Sequence, residues 1–263
     1  MKVKTYAVVV LIITTSSFIA LSALAKEQAI APHMRGTVSI DASLSEWKGV
    51  IPVSTQDVGW SWGRVGENNP PDVEDCSGNF YMMWDEKYLY FAAERVDDVV
   101  HVTNETGVTI YKGDTIVYWL HITDGAKPGT YQIGFAQTKA QDAESFLWVN
   151  LLPDGRETFP PKDVNIEIQE SKTLGGIIFE AAMSLTDLGM ELQEGRTLPY
   201  AVSFGDVDEA GVWDVLDEAV VQWPGEWDWS EHEKFGEVLF SGPATAVQPS
   251  NMLSTIWGGI KNQ

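Results

Sequence analysis

The chain has 263 residues, and its 17 basic side chains stand against 38 acidic ones, for a formal charge of -21. So negative a surface repels nucleic acid and anionic lipid, while tolerating neutral sugars, divalent cations and basic partners. The single cysteine, Cys76, excludes an internal disulfide and a thiolate zinc site, and no Cys-x-x-Cys-His stretch for covalent haem attachment occurs.

Lys2 and Lys4 precede an uncharged stretch, Thr5 to Ala25, that ends in Ala23-Leu24-Ala25, the layout of an export signal cut before Lys26. The polar Thr14-Thr15-Ser16-Ser17 break argues against a retained anchor. Residues 1–25 are therefore expected to be a signal peptide, with no membrane contact after cleavage and an exported destination: periplasm, cell surface or medium. Losing two lysines makes the remainder more acidic still.

Residues 26–241 read as one all-β domain. Runs rich in β-branched and aromatic residues recur at Thr37 to Ile40, Phe80 to Trp84, Tyr88 to Arg95, Thr115 to Ile122, Thr130 to Ala136 and Ser145 to Leu151. They continue at Val164 to Gln169, Gly176 to Met183, Leu198 to Phe204, Ala219 to Trp223 and Glu237 to Phe240. Gly, Pro, Asp and Asn clusters separate them, which predicts an antiparallel β-sandwich of two packed sheets, jelly-roll-like, with short helical turns only. Asp85-Glu86-Lys87 is expected to turn a hairpin between Trp84 and Tyr88, and Leu185 to Gly189 to form the single helical piece. After Phe240 the composition turns to a linker and a short apolar tail, 242–263, whose Trp257 suits a protein partner.

Aromatic residues and acids carry the chemistry. Trp213, Trp223, Trp227 and Trp229 crowd together among carboxylates. A flat ring stacks on the C–H face of a pyranose while polar neighbours take its hydroxyls, so the cluster points to carbohydrate. Trp84 and Trp119 lie inside strong strand patterns and are assigned to packing, whereas Trp60 and Trp62 either cap the sandwich or extend the platform. Acid clusters offer the hard oxygen ligands calcium takes, Asp206 with Asp208 foremost, and calcium would staple loops that no disulfide holds.

Several segments in order resemble the family 9 carbohydrate-binding modules: Ile40-Asp41 followed by Glu46-Trp47, Trp84-Asp85-Glu86 with Tyr88-Leu89-Tyr90, Tyr111 with Asp114-Thr115, Phe179-Glu180, Phe204-Gly205-Asp206, and Trp229 leading to Phe235-Gly236. The resemblance spans roughly Ile40 to Phe240 and implies a domain that binds glycan without cleaving it. It implies that Tyr111 and Trp229 close on opposite faces of a sugar, with Asp114, Asp206 and Gln222 at the hydroxyls. It also exposes departures. Where members place a carboxylate and two arginines for bidentate grips, this chain has Val117, Gly134 and a carboxylate near Asp217.

Two other readings stand beside it. One is a structural adaptor of an exported complex whose sugar cleft has decayed. The other is a b-type haem sandwich drawing its ligands from Met82, Met83, His101 and His121, which requires two of them to face each other across a cavity. Paired carboxylates are abundant enough to mimic a glycosidase, but the single-domain size and the resemblance point away from catalysis.

Overall fold

The computed structural model describes residues 26–55, 60–63, 73–102, 110, 113–126, 128–137, 143–151, 155–159, 162–170, 175–207, 218–225, 227 and 230–243. The signal segment and the C-terminal tail lie outside these residues.

Fourteen strands form among the described residues: β1 Gln28–His33, β2 Val53–Ser54, β3 Trp60–Gly63, β4 Cys76–Trp84, β5 Tyr88–Asp97, β6 Thr115–Ile122 and β7 Gly129–Gln137. The others are β8 Ala143–Leu151, β9 Gly155–Phe159, β10 Val164–Glu170, β11 Ile177–Ser184, β12 Thr197–Val207, β13 Glu218–Trp223 and β14 Gly236–Pro243. All-β is therefore correct. The expected split into two antiparallel sheets is not what the pairing shows, because one mixed sheet runs β10-β11-β5-β4-β1-β14-β12-β6-β7-β8-β9, with β13 and β3 beside β12 and β2 beside β4. Its parallel joints are both made by β1, which lies along β14 and passes to β4 only at His33. The register slips between Pro32 and His33, where a residue with no N–H to give meets the change of partner.

The sheet doubles back on itself. Phe80 of β4 stacks on Phe204 of β12 at 4.1 Å between ring centres, and Phe135 of β7 meets Phe179 of β11 at 4.5 Å. Period-2 alternation supplies the rows that meet there: Leu89, Phe91 and Ala93 from β5, Ile116, Tyr118, Leu120 and Ile122 from β6, Leu198, Tyr200, Val202 and Phe204 from β12. Tyr118 crosses the core and donates its hydroxyl to the Ala92 carbonyl at 2.6 Å. Gly78 leaves room for this closure, since a Cβ there would strike the Glu94 carbonyl and the Phe204 ring.

Thr37 to Ile40, expected as a strand, makes no ladder. Residues 34–50 instead wrap the outer face of β4, β5 and β11, where Val38, Trp47, Met83, Tyr90, Ala92 and Ala182 form a second apolar cluster. Glu180 of β11 fastens the wrap: its carboxylate accepts the Trp47 indole N–H at 2.6 Å and the backbone N–H groups of Asp41 at 3.0 Å and Ser43 at 3.2 Å. The hairpin turn forms as expected, with Asp85 Oδ1 accepting the Lys87 and Tyr88 N–H groups. The helical piece is α1, Leu185–Leu188, capped by the Ser184 hydroxyl and ended by left-handed Gly189.

Glu180→Ala strands three donors at once and is expected to lower unfolding free energy by on the order of 3 kcal/mol, with Glu180→Gln losing less. Urea midpoints check this, and an unchanged midpoint for the alanine variant would mean that apolar contact alone holds the wrap.

Candidate functional site

The inner rows of three strands end in charge at the same end of the core. On β5, Leu89, Phe91 and Ala93 are followed in the same register by Arg95 and Asp97; Asp114 precedes Ile116 on β6; Asp206 follows Phe204 on β12. Arg95 is fully buried, and Asp97, Asp114 and Asp206 are 4%, 5% and 3% exposed. The guanidinium fills the space between them. Its Nη2 lies 2.6 Å from Asp97 Oδ2 and 3.3 Å from Asp114 Oδ1 and donates to Asp206, while Nη1 donates to the Gly205 carbonyl at 3.0 Å. Asp114 also ties backbone together, accepting from the N–H groups of Val207 at 3.0 Å and His101.

Three carboxylates outnumber one guanidinium here, and burial makes full ionisation expensive. Burial pushes the Asp206 carboxyl up to about 8, against the pull of Arg95 and with a further push from Asp114 and Asp97. Asp114 is pushed up to about 7, again by burial first, with Arg95 opposing it. Arg95 itself keeps its proton.

The outer face of β6 and β12 carries a different surface. Val117, Trp119, Ala201, Trp227 and Phe235 pack as a third buried cluster, with Trp227 5.2 Å from Trp119 and 5.0 Å from Phe235 between ring centres. Gln222 sits beside Ser203 in the ladder, and Ser203 beside Val117. Its Oε1 accepts the Trp227 N–H at 3.5 Å, and the Trp227 indole donates to the Trp223 carbonyl at 3.2 Å. One step along β6, His121 stacks on His232 at 3.7 Å between ring centres, with the ring planes nearly parallel, and pairs with the Thr130 hydroxyl at 2.9 Å. Burial lowers His121 to about 4, helped by His232 and Lys26, so the His121 imidazole is neutral at physiological pH.

Of the residues expected at a sugar, Tyr111 and Trp229 lie outside the described residues, as do Asp208 and Trp213. Their chain neighbours are firmly held: Ile110 and Trp227 are 0% and 5% exposed. Asp114, Asp206 and Gln222 are buried, with their acceptor oxygens turned to Arg95, to backbone N–H groups and to Trp227. Trp223 packs in the main core, so it and Trp227 present no exposed platform. Val117, which stands where the resemblance places a carboxylate, is covered by the outer aromatic cluster. Arg95 was not singled out by sequence, although extending the alternation of β5 past Ala93 puts it on the core row.

For calcium, Asp97, Asp114 and Asp206 bring carboxylate oxygens within 4.8 Å of one another, near enough for one ion. The guanidinium already lies among these oxygens, so the described acids do not fit an added ion. The haem ligands fare no better as a set. Met82 faces the main core, Met83 packs in the cluster around Trp47, and His121 sits on the outer side of β6. Gly59-Trp60-Ser61-Trp62-Gly63 spells the Gly-x-Ser-x-Gly pattern of a nucleophile elbow, yet Ser61 pairs with Val221 within strand β3 instead of sitting at a strand-to-helix turn. Two clefts of about 550 and 500 Å³ flank α1, and no described residue predicted for binding lines either.

Similarity to known proteins identifies the family to which this all-β scaffold belongs. The model of the "Carbohydrate family 9 binding domain-like" family matches residues 61–242, and the chain belongs to that family, whose domains bind carbohydrate and are not catalytic. It is 24% identical over 238 residues to the exoglucanase XynX of Acetivibrio thermocellus, covering 89% of this chain and 19% of that protein. Against endo-1,4-beta-xylanase A of Thermoanaerobacterium saccharolyticum it is 24% identical over 241 residues, covering 89% and 18%. The chain thus spans about a fifth of the length of these curated relatives. Its fold is similar to that of a family 9 module from Caldicellulosiruptor kristjanssonii solved with cellotriose, with a TM-score of 0.51, 16% identity, and coverage of 86% of this chain and 100% of that one.

A carboxyl raised in the folded state holds its proton more tightly there than in the unfolded chain. Its contribution to stability is therefore complete below about pH 4 and is lost as pH rises through 7 to 8, at up to about 1.4 kcal/mol per unit for each group. Asp206→Asn cannot ionise, so its melting temperature is expected to fall less than that of the parent between pH 5 and 8.5. Parallel decline in the two proteins, followed by circular dichroism, would contradict a shared proton in this cluster.

Proposed function

We propose that the chain is an exported, non-catalytic module that holds a glycan between Tyr111 and Trp229. The observation that carries this reading is the family match over 61–242, which brackets both residues. Their setting supports it. Trp229 lies between the buried Trp227 and the anchored His232–Lys234 turn, and Tyr111 between the buried Ile110 and the pinned Asp114. A site that relies on stacking with few charged partners favours modest affinity.

In this reading Gln222 holds the Trp227 segment in place, and Asp114 and Asp206 serve from behind the site, fixing strand ends through Arg95. The polar grips implied elsewhere in the family are absent at Val117 and Gly134, so stacking and shape supply most of the binding. A β-linked glucan is the ligand class to try first, because the structural relative was solved with cellotriose. Export rests on Lys2, Lys4 and the uncharged stretch that follows. A structural adaptor is the second reading, favoured by the apolar cover over Val117.

Affinity electrophoresis through soluble β-glucans and isothermal titration with cellotriose test the proposal. Trp229→Ala and Tyr111→Ala are each expected to weaken binding by about tenfold or more. Parent-like binding by both variants would reject the stacking pair, and no retention of the parent on any glycan of a broad panel would favour the adaptor.

A further inference from the structure

We propose that Arg95 is a built-in cation that does the work a bound metal ion would do at this end of the fold, and that the Asp97, Asp114 and Asp206 cluster consequently needs no calcium. Two oxygens each about 2.4 Å from a calcium ion lie at most about 4.8 Å apart. The carboxylates of Asp97, Asp114 and Asp206 meet that spacing. They belong to three different strands or strand ends, the arrangement in which one central cation joins the most chain. Arg95 reaches that centre from within the core row of β5, and its side chain is completely enclosed.

Geometry explains why a guanidinium serves where a lysine or a metal would serve less well. Its planar fork carries several donors at fixed angles, so one Nη contacts all three acids while the other takes the Gly205 carbonyl. The ring of Phe204 lies 5.8 Å from the guanidinium carbon and supplies an apolar floor that a hydrated ion would not accept. The arrangement leaves two buried atoms without a hydrogen bond, the donor Arg95 Nε and the acceptor Asp97 Oδ2, which meets Arg95 as an ion pair only. It fixes the end of β5, the residue just before β6 and the end of β12.

The test is thermal melting of the full chain, parent and variants, in chelator and then in ~10 mM calcium chloride. Calcium is expected to shift the parent and Arg95→Lys no more than it shifts Asp206→Asn. Arg95→Ala empties the centre of a three-carboxylate cage; it should melt far lower in chelator and recover roughly 4–8 °C in calcium, a gain that Arg95→Ala combined with Asp206→Asn loses. If Arg95→Ala does not accumulate as folded protein, its refolded yield with and without calcium replaces the melt, with calcium expected to raise it. A parent whose melting rises with calcium and loses that rise in Asp206→Asn would overturn the proposal. So would an Arg95→Ala variant as stable as the parent in chelator, or one that calcium does not help in melting or refolding. None of these readouts involves sugar, so a failure of the glycan reading leaves this outcome intact.

Discussion

A single buried guanidinium decides how this fold ends. The inner rows of β5, β6 and β12 are apolar for most of their length and would have to open to water where the strands part. Instead each row finishes with an ionisable side chain, and Arg95 collects the three carboxylates into one enclosed group. Such a cluster is not a source of net stability in itself, since desolvating four charged groups offsets most of their attraction. Its value lies in specificity. Arg95 has satisfactory partners in one register only, and a slip of β6 or β12 by one residue would turn its acid outward and cost the guanidinium a partner, while a slip of β5 would turn Arg95 itself away from the cluster.

That constraint complements the unusual middle of the sheet. β1 makes parallel ladders with β14 and β4, the two strands that join the halves of the path, and its pairing with β4 amounts to one residue. A seam so thin does not by itself fix how the halves face each other. Aromatic interlock through Phe80, Phe204, Phe135 and Phe179 brings the faces together, and the Arg95 cluster locks one end of them. The outer clusters around Trp47 and Trp227 then cover the two backs, so both faces of the sheet are occupied over much of its area.

Much of this was legible in the sequence because alternation is a strong local signal. Ten of the strand segments read from β-branched and aromatic runs coincide with strands, and Asp85 and Ser184 make the turn and cap their residue types favour. The misses have physical causes. β1, Gln28-Ala-Ile-Ala-Pro-His33, contains a proline and little β-branching, and is a strand because β14 offers it a partner far along the chain. Thr37 to Ile40 has strand composition but spends its apolar side chains on the Trp47 cluster. At the site, type and position were readable but not direction: Asp114, Asp206 and Gln222 were expected at sugar hydroxyls, and no local pattern tells whether a carboxylate turns toward solvent or toward an arginine some hundred residues away. Arg95 was missed for the converse reason. A cation ending an apolar strand reads as a boundary unless its acids are known to converge on it.

The same logic bears on what kind of sugar contact this chain can make. A domain that recognises hydroxyls through charged forks must hold those forks at the surface, solvated until the ligand arrives. Here the described charges nearest the expected site point inward and neutralise one another, while the outer face of β6 and β12 is closed by Val117, Trp119, Trp227 and Phe235. The described acids build the frame, so a hydroxyl-gripping cleft would have to draw its charges from elsewhere. Recognition by stacking is tolerant of hydroxyl stereochemistry and sensitive to the flatness of the sugar face. A module that relied on stacking would select the shape of a chain more than the identity of each unit in it.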